Sequence, residues 1–168
     1  MEFKEVSVFE LTDNFFSRIG RDWMLLTPGA PGACNTMTAS WGQAGFLWNK
    51  PVVTVYVRPQ RYTHEFIERE ERFSLSFFEA GAHRRELELL GSKSGRDGDK
   101  IAEAGLTVTA LDGVAAFEEA NLVLVCRKLY RQAMRPECFV DDAPNTANYP
   151  GGDHHTIYIA EVEHVYVK

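Results

Sequence analysis

Seven runs of β-branched and aromatic residues recur along the chain, and several of them carry polar residues at alternate positions. Such runs favour β-strands, because branched and aromatic side chains pack well on a pleated surface. The predicted strands are residues 23–27, 36–42, 52–57, 73–79, 106–111, 120–132 and 155–167. Strands do not alternate regularly with helices, and no GxGxxG motif opens a helix. The pattern therefore predicts an antiparallel sheet or barrel without a Rossmann-type dinucleotide site.

Short helical stretches lie between these runs, and their ends carry capping residues. Asp13, Thr63 and Asp99 are predicted to begin helices, and Gly91 and Gly105 to follow their last turns. The predicted helices are residues 13–20, 63–70, 83–91 and 99–105. The remaining long segment, residues 134–154, has no clear period and is predicted to be a loop of the length that is usually functional or mobile.

The composition is that of a globular protein, with 45% hydrophobic and 25% charged residues among 168. We expect one domain over residues 1–168. The formal net charge of −6 argues against general nucleic-acid binding, which needs a basic surface. The start of the chain lacks the pattern of a secretory signal, and no apolar run is long enough to cross a bilayer. Three widely spaced cysteines predict no disulfide framework, so we expect a cytoplasmic protein.

The stretch NTMTASWG, residues 35–42, places Thr36, Thr38 and Ser40 at every second position. On a strand these hydroxyls share one face, because side chains alternate sides. The row is either a solvated strand face or one wall of a ligand site. In the second case the small residues 38–40 let a flat ring approach the backbone, and Trp41 closes one side.

The stretch VRPQRYT, residues 57–63, carries Arg58 and Arg61 on a turn before a predicted helix. Guanidinium groups beside a helix N-terminus suit a phosphate, since they supply charge and paired donors next to free N–H groups. Thr63 is the predicted cap of that helix. The alternative is two solvated arginines paired with nearby carboxylates.

A third segment, GSKSGRDGDK at residues 91–100, holds three glycines, two serines and three cations. It does not meet the GxxxxGK[ST] pattern of a P-loop. Its backbone N–H groups, with Lys93, Arg96 and Lys100, offer donors and charge to an anion, and the alternative is a solvated connection between two helices.

The chain shows no spacing typical of a metal site, and no GxSxG motif surrounds a serine. His154 and His155 are adjacent, so on a strand they point to opposite faces. Cys126 lies within an apolar run and is predicted to be inert core. We therefore predict no metal and no nucleophilic side chain.

Taken together, these segments resemble the flavin reductase-like family of FMN-binding split-barrel proteins, which includes the flavoredoxins. The resemblance is carried by NTMTASWG, KPVVTVYVRPQRYT, FSLSFF and GSKSGRDGDK, and it covers roughly residues 15–165. It implies a mainly β fold, a six-stranded antiparallel Greek-key split β-barrel with a few short peripheral helices. It also implies a homodimer with FMN near the subunit interface.

The resemblance further implies which residues bind FMN. The TMTASW strand would lie along the isoalloxazine, the RPQRYT turn would meet the phosphate, and the SKSGRD loop would come near it. The implied cofactor-binding residues are Thr36, Met37, Thr38, Ala39, Ser40, Trp41, Arg58, Arg61, Thr63, Lys93, Ser94 and Lys100.

The resulting hypothesis is an oxidoreductase that passes electrons from NADH or NADPH through FMN to a second acceptor. The flavin carries the chemistry, so no side chain is assigned a catalytic role. One alternative is a flavoredoxin-type electron carrier, which binds FMN, serves a protein redox partner and turns over little NAD(P)H. The other is a non-catalytic small-ligand binding module.

Overall fold

The computed structural model describes residues 2–168, and ten strands account for most of its regular structure. Each of the seven predicted runs contains a strand, so the mainly β prediction is confirmed. The strands are β1 (Lys4–Val6), β2 (Met24–Pro28), β3 (Met37–Ala39), β4 (Gly42–Leu47), β5 (Lys50–Val57), β6 (Arg72–Phe77), β7 (Val108–Leu111), β8 (Val114–Phe117), β9 (Leu122–Ala133) and β10 (Thr156–Val167).

Eight of these strands form one sheet in which neighbouring strands are antiparallel. The order is β3-β2-β6-β9-β10-β5-β4, and β1 pairs with the C-terminal part of β10. The sheet thus has two more strands than the six predicted. Strands β7 and β8 form a separate hairpin.

The sheet must curl, because its two edge strands are neighbours in sequence. Strand β3 lies at one edge and β4 at the other, yet only Ser40 and Trp41 separate them. Consecutive Cα atoms are about 3.8 Å apart, so Ala39 and Gly42 are at most about 11 Å apart. The two edges therefore approach each other at this connection without pairing, and we call this place the seam; the curled, unclosed sheet confirms the predicted split barrel.

Strand β4 returns into β5 through a two-residue turn. Trp48 and Asn49 both have positive φ, 54° and 57°, as a type I′ hairpin turn requires. A tryptophan rarely adopts this conformation, and the sequence GQAGFL has weak strand propensity. Both facts explain why the hairpin is not predicted from the sequence.

The helices are short and lie outside the barrel. They are α1 (Phe15–Ser17, continued by a wide turn over Arg18–Asp22), α2 (Tyr62–Arg69), α3 (Arg84–Ser92), α4 (Lys100–Ala104) and α5 (Ala143–Asn148). Among residues 2–168, no helix is both long and apolar enough to span a membrane.

Two of the five capping predictions are confirmed and three are wrong. Asp99 caps α4, and Gly105 follows it with φ of 71°. Helix α2 begins at Tyr62, so Arg61 occupies the N-cap position, two residues before the predicted Thr63. Asn14 replaces Asp13 as the cap of α1. Gly91 lies within α3 instead of after it. It packs closely against Thr38, because a Cβ added to Gly91 would lie 3.2 Å from the Thr38 Cβ.

Both faces of the central strands are buried. The barrel interior holds side chains from β2, β3, β5, β6, β9 and β10. A second cluster packs helix α3 and the β7–β8 hairpin against the outer face. Alternate residues of β2 serve the two clusters: Met24 and Leu26 point inward and Leu25 outward. Strand β3 therefore pairs with β2, a strand that is buried on both faces.

Strand β6 carries two fully buried serines with different hydrogen bonding. The Ser74 hydroxyl donates to the Ala115 carbonyl at 2.6 Å, whereas the Ser76 hydroxyl has no partner among residues 2–168. An unpaired buried hydroxyl carries an uncompensated desolvation cost. We expect Ser76→Ala to raise the free energy of unfolding by about 1 kcal/mol, measured by urea denaturation. Ser74→Ala is the control and should lower it by about 1 kcal/mol; equal effects would contradict the assignment.

Candidate functional site

A cleft of about 390 Å³ opens at the seam, where β3 ends and β5 runs into the turn before α2. We call it the seam cleft. Its lining combines two of the segments singled out in the sequence with one histidine from the start of β10. The lining residues are Met37, Thr38, Ala39, Ser40, Trp41, Tyr56, Arg58, Gln60, Arg61 and His155.

The hydroxyl row does not act as a unit. Thr36 is fully buried, lies 2.8 Å from the Thr27 hydroxyl and donates to the Leu26 carbonyl, so it is a core residue. The Thr38 hydroxyl donates to the Leu87 carbonyl of α3 at 2.6 Å. Thr38 and Ser40 border the cleft, and Thr36 does not. Neither interpretation of the row is right as a whole, because the solvated-face alternative also fails for Thr36.

Met37 and Ala39 border the cleft from the other face of the strand. Both side chains belong to the barrel core and are at most 7% exposed. The predicted close approach of a ring to small side chains therefore applies to Thr38 and Ser40, whereas bulk added at Ala39 would enter the core.

The backbone of β3 is available on one side. The strand pairs with β2 through Met37, Thr38 and Ala39, and its other edge lies at the seam. An edge strand leaves alternate N–H and C=O groups unpaired. The cleft thus has a wall of backbone donors and acceptors beside Ser40.

The positive end of the cleft is formed by Arg58 and Arg61, but the two guanidinium groups differ in their partners. Arg58 makes an ion pair with Asp153 at 2.6 Å and donates to the Asn148 carbonyl at 2.9 Å. Arg61 donates to the Gly91 carbonyl at 2.7 Å. No carboxylate pairs with Arg61 in the described part of the chain.

The charge around Arg61 is reinforced by a buried lysine. Burial, and next the positive charge of Arg61, lower the pKa of Lys100 to about 8. Burial and then Arg58 likewise lower the pKa of Arg61. The Lys100 ammonium donates to the carbonyls of Leu90 and Lys93 at 2.8 and 3.0 Å. Mutually unfavourable cations of this kind indicate a site that gains from a bound anion.

The other predicted phosphate-end residues do not line the cleft. Thr63 is buried, and its hydroxyl accepts from the Asn35 side-chain amide at 2.8 Å. The Lys93 ammonium pairs with Glu103 at 2.5 Å, and the Ser94 hydroxyl accepts from the Arg96 N–H at 3.2 Å. Lys100 lines a separate neighbouring cavity. In this structure the 91–100 segment supports the site through the Gly91 carbonyl, which accepts from Arg61, and through the positive charge of Lys100.

Three lining residues were missed from the sequence, Tyr56, Gln60 and His155, and so was Tyr149, which bonds to His155. Tyr56 lies on a run that indicates only a strand, and the Gln60 amide donates to Asp153 at 2.6 Å. The Tyr149 hydroxyl lies 2.8 Å from His155 Nδ1. The one sequence signal for these residues was GGDHH, a turn that places His155 immediately before β10.

His155 gives the site a pH dependence. Burial, and next the charge of Arg58, lower its pKa to about 4, against about 6.5 for an unfolded histidine. Between these values the unfolded chain binds a proton that the folded protein does not, so stability falls as the pH falls from 6.5 to 4.

Acidification should therefore lower the free energy of unfolding of His155→Gln by about 2 kcal/mol less than that of the wild type. The measurement is urea denaturation of both proteins at pH 7 and pH 4.5. Parallel losses in the two proteins would contradict a buried neutral imidazole.

The sequence profile described as Flavin reductase like domain matches residues 16–168, nearly the whole chain. The chain belongs to the flavin reductase-like family. The predicted resemblance is therefore confirmed at the level of the family. None of the curated proteins compared matches this flavin reductase-like protein significantly.

Solved structures share the fold of this flavin reductase-like protein. An FMN-binding domain of a flavin reductases-like enzyme from Shewanella baltica OS155 has 20% identity and a TM-score of 0.70, over 99% of this chain and 77% of that one. A flavoredoxin from Methanosarcina acetivorans has 21% identity and a TM-score of 0.68, over 88% and 68%. The Streptomyces globisporus C-1027 NADH:FAD oxidoreductase, in complex with NAD and FAD fragments, has 19% identity and a TM-score of 0.64, over 88% and 74%. At these identities the likeness shows a common fold.

Proposed function

We propose that this protein binds FMN in the seam cleft and passes electrons from NADH or NADPH through it to a second acceptor. One observation carries the proposal: the same cleft holds a guanidinium without a carboxylate partner, Arg61, at one end and the open edge of β3 at the other. FMN has a phosphate dianion and a flat ring with polar edges, so it needs both features.

The residues present fit FMN. Arg61 would hold the phosphate, Arg58 would contribute from beside Asp153, and Lys100 would add charge from behind. The open edge of β3 would donate to the ring, and Trp41 would cover part of it. When bound, FMN supplies hydride acceptance and release of one or two electrons.

The residues of this chain would bind the flavin, orient its ring and tune its redox potential. Fixed N–H groups along β3 would stabilise negative charge at the edge of a bound ring without reorganisation. Neutral His155 lines the same cleft, held through Nδ1 by the Tyr149 hydroxyl. No general acid or base is required of these side chains.

The test is the visible spectrum of the purified protein, followed by anaerobic addition of NADH or NADPH. Bound flavin that bleaches within seconds supports the proposal. Flavin that bleaches only with a reduced protein partner would favour the flavoredoxin-type carrier, whose fold this chain shares. A colourless protein that takes up no added FMN would favour the non-catalytic module.

We also propose that the protein is a homodimer joined through the β4–β5 hairpin. Phe46 and Trp48 are 61% and 52% exposed, and Phe9 packs beside Phe46 with ring centroids 6.5 Å apart. Exposed aromatics beside an unpaired strand edge are typical of an interface. Sedimentation should show a dimer that Phe46→Glu dissociates, and a wild-type monomer at micromolar concentration would contradict the proposal.

We also propose a cytoplasmic location, on the basis of the cysteines. Cys34, Cys126 and Cys138 are free. Proteins with several unpaired cysteines suit a reducing compartment, where thiols are kept reduced.

A further inference from the structure

A second cavity of about 500 Å³ adjoins the seam cleft, and we call it the apolar cavity. It lies between helix α1, the start of β4 and the segment that begins at Met134. Ser40, Trp41 and Tyr56 line both spaces. A molecule in the apolar cavity would therefore lie beside whatever occupies the seam cleft.

Among residues 2–168, no charged side chain lines the apolar cavity. The lining consists mainly of aromatic and aliphatic groups, with neutral polar atoms from Ser40, Gln43, Tyr56 and Tyr149. In the seam cleft, by contrast, two arginines form one end. Transfer of a charge into an apolar site is unfavourable without a counter-charge. The apolar cavity thus discriminates against phosphates, sulfonates and carboxylates.

The Tyr56 phenol is a polar group of this lining that is free to bind a ligand. Within residues 2–168 the Tyr56 hydroxyl has no side-chain hydrogen bond, whereas the Tyr149 hydroxyl is already engaged with His155. Burial raises the pKa of Tyr56, so the phenol stays protonated and is a donor at neutral pH. A half-buried donor at the junction of two cavities suits a ligand with one acceptor atom.

We propose that the apolar cavity is the binding site for the terminal electron acceptor, and that this acceptor is a neutral, planar quinone of about two fused rings whose oxygen accepts from Tyr56. This inference rests on the proposed function, since it assumes FMN in the seam cleft. Cavities of roughly 300–1,000 Å³ hold drug-sized ligands, so a bicyclic compound fits.

The overall reaction balances. NADH or NADPH gives up a hydride, which is two electrons and one proton, and is oxidised to NAD⁺ or NADP⁺. The quinone takes up these two electrons together with two protons, one from the hydride and one from solvent, and becomes the hydroquinone.

The first test compares two acceptors with the wild-type holoprotein. Menadione is neutral, and 1,4-naphthoquinone-2-sulfonate has the same ring system with one negative charge. We expect kcat/KM to be at least about tenfold higher for menadione, because the cavity offers no counter-charge. The sulfonate is the stronger oxidant, so driving force alone predicts the opposite order. Equal or inverted values would overturn the proposal.

The second test fills the apolar cavity. Ala44 is an exposed strand residue in its lining, so Ala44→Trp should lower kcat/KM for menadione about tenfold or more. FMN content and turnover with ferricyanide, which needs no apolar site, should remain. Ala110→Trp, at an exposed position on β7, is the matched control and should change neither.

Tyr56→Phe supplies a readout that leaves the surface shape unchanged. It should raise the KM for menadione about tenfold, because one hydrogen bond is lost. Wild-type menadione kinetics in both Ala44→Trp and Tyr56→Phe would overturn the proposal. Absence of bound flavin in the wild-type protein would instead refute the proposed function, so the two failures are distinct.

Discussion

Replacing Arg61 by alanine should raise the dissociation constant for FMN about 100-fold. Its guanidinium faces the cleft without a carboxylate partner, so its charge is free to bind the phosphate. Charge-assisted hydrogen bonds contribute about 1.5–3 kcal/mol each, and 1.4 kcal/mol is a factor of ten in affinity. Titration of the apoprotein with FMN, followed by flavin fluorescence, measures the change.

Two further arginine variants locate the effect. Arg96 lies on the neighbouring loop and pairs with Glu65, so Arg96→Ala should leave FMN affinity unchanged. Arg58→Ala should weaken binding less than Arg61→Ala, because Asp153 already neutralises part of its charge. If Arg61→Ala and Arg96→Ala bind FMN like the wild type, the phosphate does not lie at this end of the cleft.

Ser40→Phe should abolish flavin binding, leaving less than about a tenth of the wild-type FMN content. Ser40 lines the seam cleft beside the open edge of β3, and a phenyl ring there would occupy the space assigned to the isoalloxazine. The side chain is only half-buried, so the substitution does not overpack the core. The measurement is the ratio of absorbance near 450 nm to that near 280 nm in the purified protein.

Thr36→Val is the control from the same stretch. Its hydroxyl bonds within the core, so the variant should keep its FMN and lose about 1 kcal/mol of stability. Retention of flavin by folded Ser40→Phe would move the ring away from β3.

The strands were predictable because their signal is local. Branched and aromatic residues mark β5, β9 and β10, and each was found with its ends within a few residues. Strands β1, β4 and β8 were missed, and in the last two the sequences Gly-Gln-Ala-Gly and Val-Ala-Ala-Phe carry little local preference. The pairing partners of β4 and β8 hold them in place, β5 within the main sheet and β7 within the separate hairpin.

The site was predictable by segment but not by side chain. The sequence identified Arg58 and Arg61 as a pair, and only the structure shows that Asp153, 95 residues after Arg58, neutralises one of them. It likewise grouped Thr36 with Thr38 and Ser40, although the first bonds to β2. Partners distant in sequence decide which charges and hydroxyls are free, and no short motif records them.

Because the cleft lies at the seam between β3 and β4, the fraction of protein with FMN bound should determine the free energy of unfolding. FMN in the cleft would touch the free edge of β3 close to where the two strands would otherwise exchange hydrogen bonds. A ligand that binds only the closed barrel adds about 2.7 kcal/mol at 100 times its dissociation constant. Hydrogen exchange should therefore slow at the amides of both edge strands as the site fills, and the melting temperature of a preparation would report its flavin content.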